Sequence, residues 1–390
     1  MNAIYENIML FLYNLYSALF GQYYCFNNAI TFRKDWDGKI SKKLSWLLDT
    51  VSIIYFEGNI CKNIFTEENQ KYFRKIRTIH LPDSFNEEIL FYPQNLQVVI
   101  YGSKYNSKID ALPDSVRTIV FGHFFNLDID KLPKNIIEIK FGELFNSNIN
   151  ISGKLKKIVF GKYFNQDISQ LSFTAEELIF GDEFNQNINF LLPGVKIIRF
   201  GFNFNQNIDL LPEGLEELTV NSDVELGNLP RSLKVLKIGG NFKERLQNLP
   251  DIEELIFSWD SSLYSTYSKK LENLPDSIRV IQVPRWYTDT FFELPKNIEK
   301  ILFYTDSDTT SNIRLDIDLE KYEKLKEVMI SSDHKYINEL KEKYGDIIIE
   351  VESENDRRKR IEREIEVQKI MEQDRLEDER YDLSLGVDIL

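Results

Sequence analysis

Three groups of side chains in this sequence have types that could do chemistry, and their spacing decides what each can do. The first is an acidic run, Thr305-Asp306-Ser307-Asp308-Thr309, with Asp316 and Asp318 close behind. Clustered carboxylates are what a hard divalent cation needs, because it is held by several oxygen ligands at once. Short Asp-x-Asp runs are common, however, and this one falls in an inserted loop, so no metal site is expected. The second group is Cys25 and Cys61 with His80, His123 and His334. They are too scattered to form a metal motif or a Cys–His nucleophile pair, and both thiols read as buried. Phosphate-cradling glycine loops, a G-x-S-x-G elbow and H-E-x-x-H are all absent. The expectation is a chain with no catalytic residue, no cofactor and no metal.

The third group suits capture rather than catalysis. Lys140, Arg199 and Lys237 fall at one phase of a repeat, with apolar residues such as Ile179 between them. Trp259 and Trp286 stand in two aromatic-rich insertions, 258–273 and 284–293. Cations beside apolar side chains fit a protein partner carrying an apolar ridge and acidic groups. Insertions in repeat proteins often map to a binding face. Either set matters only if the fold aligns it.

The elements that could align it are written in a strong internal repeat. Phe-Gly pairs occur at 121–122, 141–142, 160–161, 180–181 and 200–201. Four residues after each Phe comes a second Phe followed by Asn: Phe125-Asn126, Phe145-Asn146, Phe164-Asn165, Phe184-Asn185 and Phe204-Asn205. Tyr101-Gly102 with Tyr105-Asn106 is an earlier copy, and an Ile follows each Asn by three residues. Leu-Pro pairs recur as a fourth marker, for example at 112–113, 132–133 and 211–212. Before each Phe-Gly lies an apolar-x-x-apolar-x-apolar hexad, such as Val116 to Phe121. Hexads begin at 51, 76, 96, 116, 136, 155, 175, 195, 215, 233, 252, 278, 298 and 325, which makes about fourteen coils.

The last three hexad positions alternate as a short strand does. About twenty residues cannot bury their own apolar face, so such coils must stack on one another in a parallel sheet. The second Phe should then form an internal spine, and the Asn beside it should bond turn backbone that no strand satisfies. Each Gly sits at a strand end, where it lets the chain bend. The fifth hexad residue must point away from the core, and that row contains Lys140, Ile179, Arg199 and Lys237.

These runs, above all GKYFNQDI (161–168), GDEFNQNI (181–188) and GFNFNQNI (201–208), resemble the FNIP repeat. That resemblance implies a leucine-rich-repeat-like solenoid, of a kind known from social amoebae and large amoeba-infecting viruses. The expected class is α/β to mainly β, with one parallel sheet, a helical N-terminal cap, an α/β C-terminal cap and a charged C-terminal helix. Expected boundaries are 1–46 for the N-terminal cap, 47–330 for the solenoid, 331–352 for the C-terminal cap and 353–390 for the charged helix or tail. Family members that resemble F-box proteins at their N-terminus imply recruitment of a ubiquitin ligase. Residues 1–46 lack the Leu-Pro opening of an F-box, and only Ile8, Leu12, Leu15 and Leu19 with Cys25 and Trp36 keep its spacing. A degenerate F-box and a plain helical cap both stay open.

Charge narrows the partner. Lys and Arg number 48 against 62 Asp and Glu, a net of −14, which disfavours nucleic acid and anionic membrane. The apolar run 8–20 is too short to span a bilayer, and no stable membrane insertion is expected. With only two Cys, a reducing cytoplasm fits, the host's if the chain is viral. Two functions follow as expectations. One is a non-enzymatic scaffold that binds a protein through the solenoid face, as the recognition arm of a ubiquitin-ligase adaptor. The other is a self-associating structural protein of a virion or inclusion.

Overall fold

The computed structural model describes residues 22–352 and residue 360, except 27, 59–63, 130, 150–151, 154, 170–171, 174, 190, 192–193, 240–241, 258–266, 268, 284–293, 304–317 and 333–335. The apolar run 8–20, Cys61, Trp259, Trp286, the acidic run 305–309 and nearly all of 353–390 lie outside the described residues. The chain falls into two compact units, Met1–Leu233 and Lys234–Leu390.

The described residues of the first unit begin with a β-hairpin, β1 (Tyr23–Phe26) against β2 (Ala29–Phe32), paired antiparallel. Asn28 turns it with φ 67, a left-handed conformation that Asn tolerates. A helix, α1 (Lys42–Leu48), follows, and Ser41 Oγ accepts from Leu44 N–H as its N-cap. From β2 onward the strands are parallel and follow chain order: β3 (Ile53–Phe56), β4 (Thr78–His80), β5 (Val98–Ile100), β6 (Thr118–Val120) and β7 (Glu138–Lys140). A two-residue strand, β8 (Ser152–Gly153), precedes β9 (Lys157–Val159), which continues the sheet. Then come β10 (Ser172–Phe173), paired with β8 alone, and β11 (Glu177–Ile179), β12 (Ile197–Arg199) and β13 (Glu217–Val220).

Register is set by the apolar fourth position of the hexad. Ile79, Val99, Ile119, Ile139, Ile158, Leu178, Ile198 and Leu218 lie directly opposite one another down the sheet, each 0% exposed. A slip of one residue would turn this whole column to solvent, so the register is strongly specified. Where a Leu-Pro pair precedes the hexad, the proline starts the turn into the strand. Val116 N–H donates to Pro113 O and Ile136 N–H to Pro133 O, a four-residue β-turn that delivers the first hexad residue into the core.

The second unit repeats the plan in β14 (Val235–Ile238), β15 (Glu254–Phe257), β16 (Val280–Val283), β17 (Lys300–Phe303) and β18 (Glu327–Ser331), all parallel. After β18 come α2 (Ile337–Tyr344), which buries Ile337 and Leu340, and β19 (Ile348–Val351), parallel to β18. All fourteen hexads carry a strand at their third to fifth positions, so the mainly β, solenoid-type class holds within each unit.

Candidate functional site

Each coil of the first unit has two surfaces of different character, a filled corner after the strand and an outer sheet face. In the corner, the Phe of Phe-Gly stacks on the Phe four residues later at centroid distances of 3.8 to 4.1 Å. Between coils the first ring repeats every 5.2 to 5.8 Å, from Phe121 to Phe200. The second ring repeats every 5.9 to 6.2 Å, through Phe125, Phe145, Phe164, Phe184 and Phe204. These five rings are essentially unexposed. Full burial of a Phe contributes about 1.5–3 kcal/mol, and each aromatic pair adds about 0.5–1.5.

The Asn beside the second Phe serves the neighbouring coil. Asn126 Oδ1 accepts from Asn146 N–H at 2.8 Å, Asn146 Oδ1 from Asn165 at 2.8 Å, Asn165 Oδ1 from Asn185 at 2.9 Å and Asn185 Oδ1 from Asn205 at 3.0 Å. Gln166, Gln186 and Gln206 each donate to the same oxygens from their Nε2. A backbone donor left over by the turn thus finds a side-chain acceptor one coil back.

Glycine plays a part there other than easing a bend. A Cβ on Gly142 would lie 1.8 Å from Gly122 O, and one on Gly161 would lie 1.8 Å from Gly142 O. Neither residue is among those with positive φ. The requirement is close stacking of one coil's backbone on the next, not left-handed geometry.

The outer face is built from the third and fifth hexad residues. Its fifth-position row runs Tyr55, His80, Ile100, Val120, Lys140, Val159, Ile179, Arg199, Thr219 in direct register. Lys140, Ile179 and Arg199 therefore do share one row of the first unit. Lys237 lies in the second unit, beside Ile256. Most of the row is half-buried by its own neighbours, whereas Lys140 is exposed.

This face divides by charge. Over β3–β6 its residues are Ile53, Tyr55, Thr78, His80, Val98, Ile100, Thr118 and Val120, and burial holds His80 below the ordinary imidazole range. Tyr55 and His80 stack with ring centroids 4.1 Å apart. At neutral pH this half bears no formal charge. Over β7–β13 the face is ionic and largely self-paired. Lys157 meets Glu177 at 3.0 Å, and Arg199 meets Glu217 at 3.2 Å. The row just before the strands adds Lys156–Glu176 at 3.5 Å and Lys196–Glu176 at 3.8 Å. Arg199, expected as a cationic anchor, is engaged by Glu217. Lys140 has no carboxylate in ion-pairing range among the described residues.

Chemistry of other kinds finds little purchase. Among the described residues no group of three or more His, Cys, Asp or Glu could hold a metal, and no helix is long and apolar enough to cross a membrane. Burial pushes the Cys25 thiol up to about 11, which leaves it protonated and unreactive at neutral pH. A cleft of about 370 Å³ between the coils at 107–110 and 125–131 is lined by mixed polar and apolar side chains with no convergent donor set.

Comparison with known proteins places the corner motif. Residues 105–144 match the family model described as FNIP Repeat. No curated protein matches the chain. Among solved structures the chain is similar to CroV588, whose crystal structure is described as a novel circular LRR protein structure. That likeness has 19% identity and a TM-score of 0.42, and covers 79% of this chain and 67% of that one. The matched residues, 105–144, are thus similar to the FNIP Repeat, and the Tyr/Phe–Asn–Ile register they carry runs on to Ile208 with the same ring stacks and Asn bonds.

Proposed function

We propose that the chain is a non-enzymatic interaction scaffold that captures a protein partner on the outer face of the first unit's sheet. The observation that carries this reading is the uncharged half of that face over β3–β6. Eight side chains from four registered strands offer β-branched and aromatic surface there, with Tyr55 37% exposed. A sheet face turned to solvent ordinarily alternates apolar-in with polar-out, and here the outward residues are largely apolar. The backbone behind it is held coil to coil by the ring stacks and Asn bonds, so little ordering entropy would be lost on binding. In this setting the face acts as the recognition arm of a ubiquitin-ligase adaptor, with the partner as its client.

A pull-down from cytoplasmic extract with the full chain, alongside Val120→Asp, tests the scaffold role. Specific recovery of a partner that Val120→Asp loses, while melting like the parent, is the expected result. Ligase components among the recovered proteins would support the adaptor setting. Recovery of the chain itself alone would replace both with a self-associating role.

A further inference from the structure

The uncharged half of the outer face has a rim in which cations predominate. Strand entry into β3–β6 passes through residues 49–52, 74–77, 94–97 and 114–117. These supply Arg74, Lys75, Arg77 and Arg117 against two carboxylates, Asp49 and Asp114, and Asp114 already faces Lys134 of the next coil at 3.8 Å. No carboxylate among the described residues reaches Arg77 or Arg117. Arg77 Nη1 donates to the carbonyls of Arg74 and Ile76, and Arg117 Nη1 donates to Asn135 O. Those bonds fix the guanidinium groups without neutralising them. Two coils separate the pair, roughly 10 Å at ordinary strand spacing. In the neighbouring half the equivalent row is Lys156, Glu176, Lys196 and Glu216, where signs alternate and Glu176 holds both lysines. A chain of net charge −14 thus keeps unanswered positive charge beside this uncharged half-face.

Resting on the scaffold reading above, we infer that this face takes an acidic polypeptide segment. Its aliphatic or aromatic side chains lie on Ile100 and Val120, and its carboxylates lie on Arg77 and Arg117. Guanidinium forks suit carboxylates in two-point contact, and the apolar floor supplies area that a phosphate backbone would not use. The exposed Lys140 bounds the face on its far side.

Random short peptides displayed on phage and selected on the full chain provide the probe, with affinities then read by fluorescence anisotropy. Recovered peptides should be rich in Asp and Glu alternating with apolar residues, and added salt should weaken them. The double variant Arg77→Glu with Arg117→Glu should lower affinity by about tenfold or more at an unchanged melting temperature. Arg77→Lys with Arg117→Lys should keep most of it. If the reversal unfolds the chain, Arg77→Gln with Arg117→Gln carries the same expectation. Peptides without acidic excess that Val120→Asp still abolishes would overturn the acidic partner and leave the binding face standing. No recovery, or binding indifferent to both Val120→Asp and the arginine variants, would overturn both. A single-stranded oligonucleotide that displaces the peptides with equal affinity would assign the rim to a nucleic acid instead, and so overturn the inference.

Discussion

The corner after each strand and the outer face of the same strand lie a few residues apart, yet they obey opposite rules. In the corner, Phe, Gly and Asn recur with hardly a change from Tyr101 to Asn205, and each finds its partner in the adjacent coil. On the outer face, one position holds in turn Ile100, Val120, Lys140, Val159, Ile179 and Arg199. Repetition marks where a coil must fit its own kind, and variation marks where it meets something else. The contrast holds inside the face as well, between the half that answers its own charges and the half that does not.

The contrast is best broken from the corner, where effects should be largest. Gly142→Val forces a branched side chain against Gly122 O, and with backbone on both sides neither coil can yield cheaply. The expected loss is on the order of 4–5 kcal/mol or more, read by urea unfolding. A variant as stable as the parent would mean that the coils do not stack so closely. Phe164→Ala or Phe184→Ala should each cost about 3–5 kcal/mol, because a ring stacked above, below and within its own coil leaves a cavity. Asn165→Ala strands Asn185 N–H and should cost about 1–3 kcal/mol. Unchanged thermal stability in that variant would remove Asn from the ladder.

On the outer face the same kind of change should hardly register. Lys157→Ala removes a surface pair with Glu177 and should shift stability by less than about 1 kcal/mol. A loss as large as the Asn variant's would erase the distinction between the two surfaces.

Acid offers a gentler probe of the coil-to-coil bonds. Asp83 accepts from Ser103 N–H and Oγ, and Asp209 accepts from Asn228 N–H. These hydrogen bonds hold both carboxyls below the ordinary carboxylate range. Because the folded form favours the ionised group, its stabilisation is complete above the unfolded value near pH 4 and is lost as pH falls through the folded value. The melting temperature should therefore drop below about pH 4, and less steeply in Asp83→Asn with Asp209→Asn. Parallel acid limbs for parent and variant would show that these bonds do not couple to folding.

Much of this was legible because a repeat states the same contact many times. The hexad marks fourteen strands from Ile53 on, and Phe, Asn and Leu-Pro add to it in many of the coils, since the burial that fixes these types recurs from coil to coil. The strand at Ala29–Phe32 carries no such mark, because Asn27 stands where a hexad has its first apolar residue. Ile30 and Phe32 alone keep the alternation, and both are buried. Arg199 illustrates a different limit. Its own row shows a cation among apolar residues, whereas its state is set by Glu217, which lies in the other row one coil along. The same holds for the uncharged half of the face. It becomes visible only when the rows are laid side by side, strand by strand.

The stack of glycines has a consequence for how such a molecule can change over generations. Where backbone rests on backbone, the shape of each coil is copied from the one beneath it, from Gly102 up to Gly201. Duplicating or deleting one complete repeat of the gene would leave every such contact with a matching neighbour. A single codon altered at one glycine would leave two coils without one. Lineages of this chain should therefore differ by whole repeats added or lost, while the glycine codons within each repeat stay put.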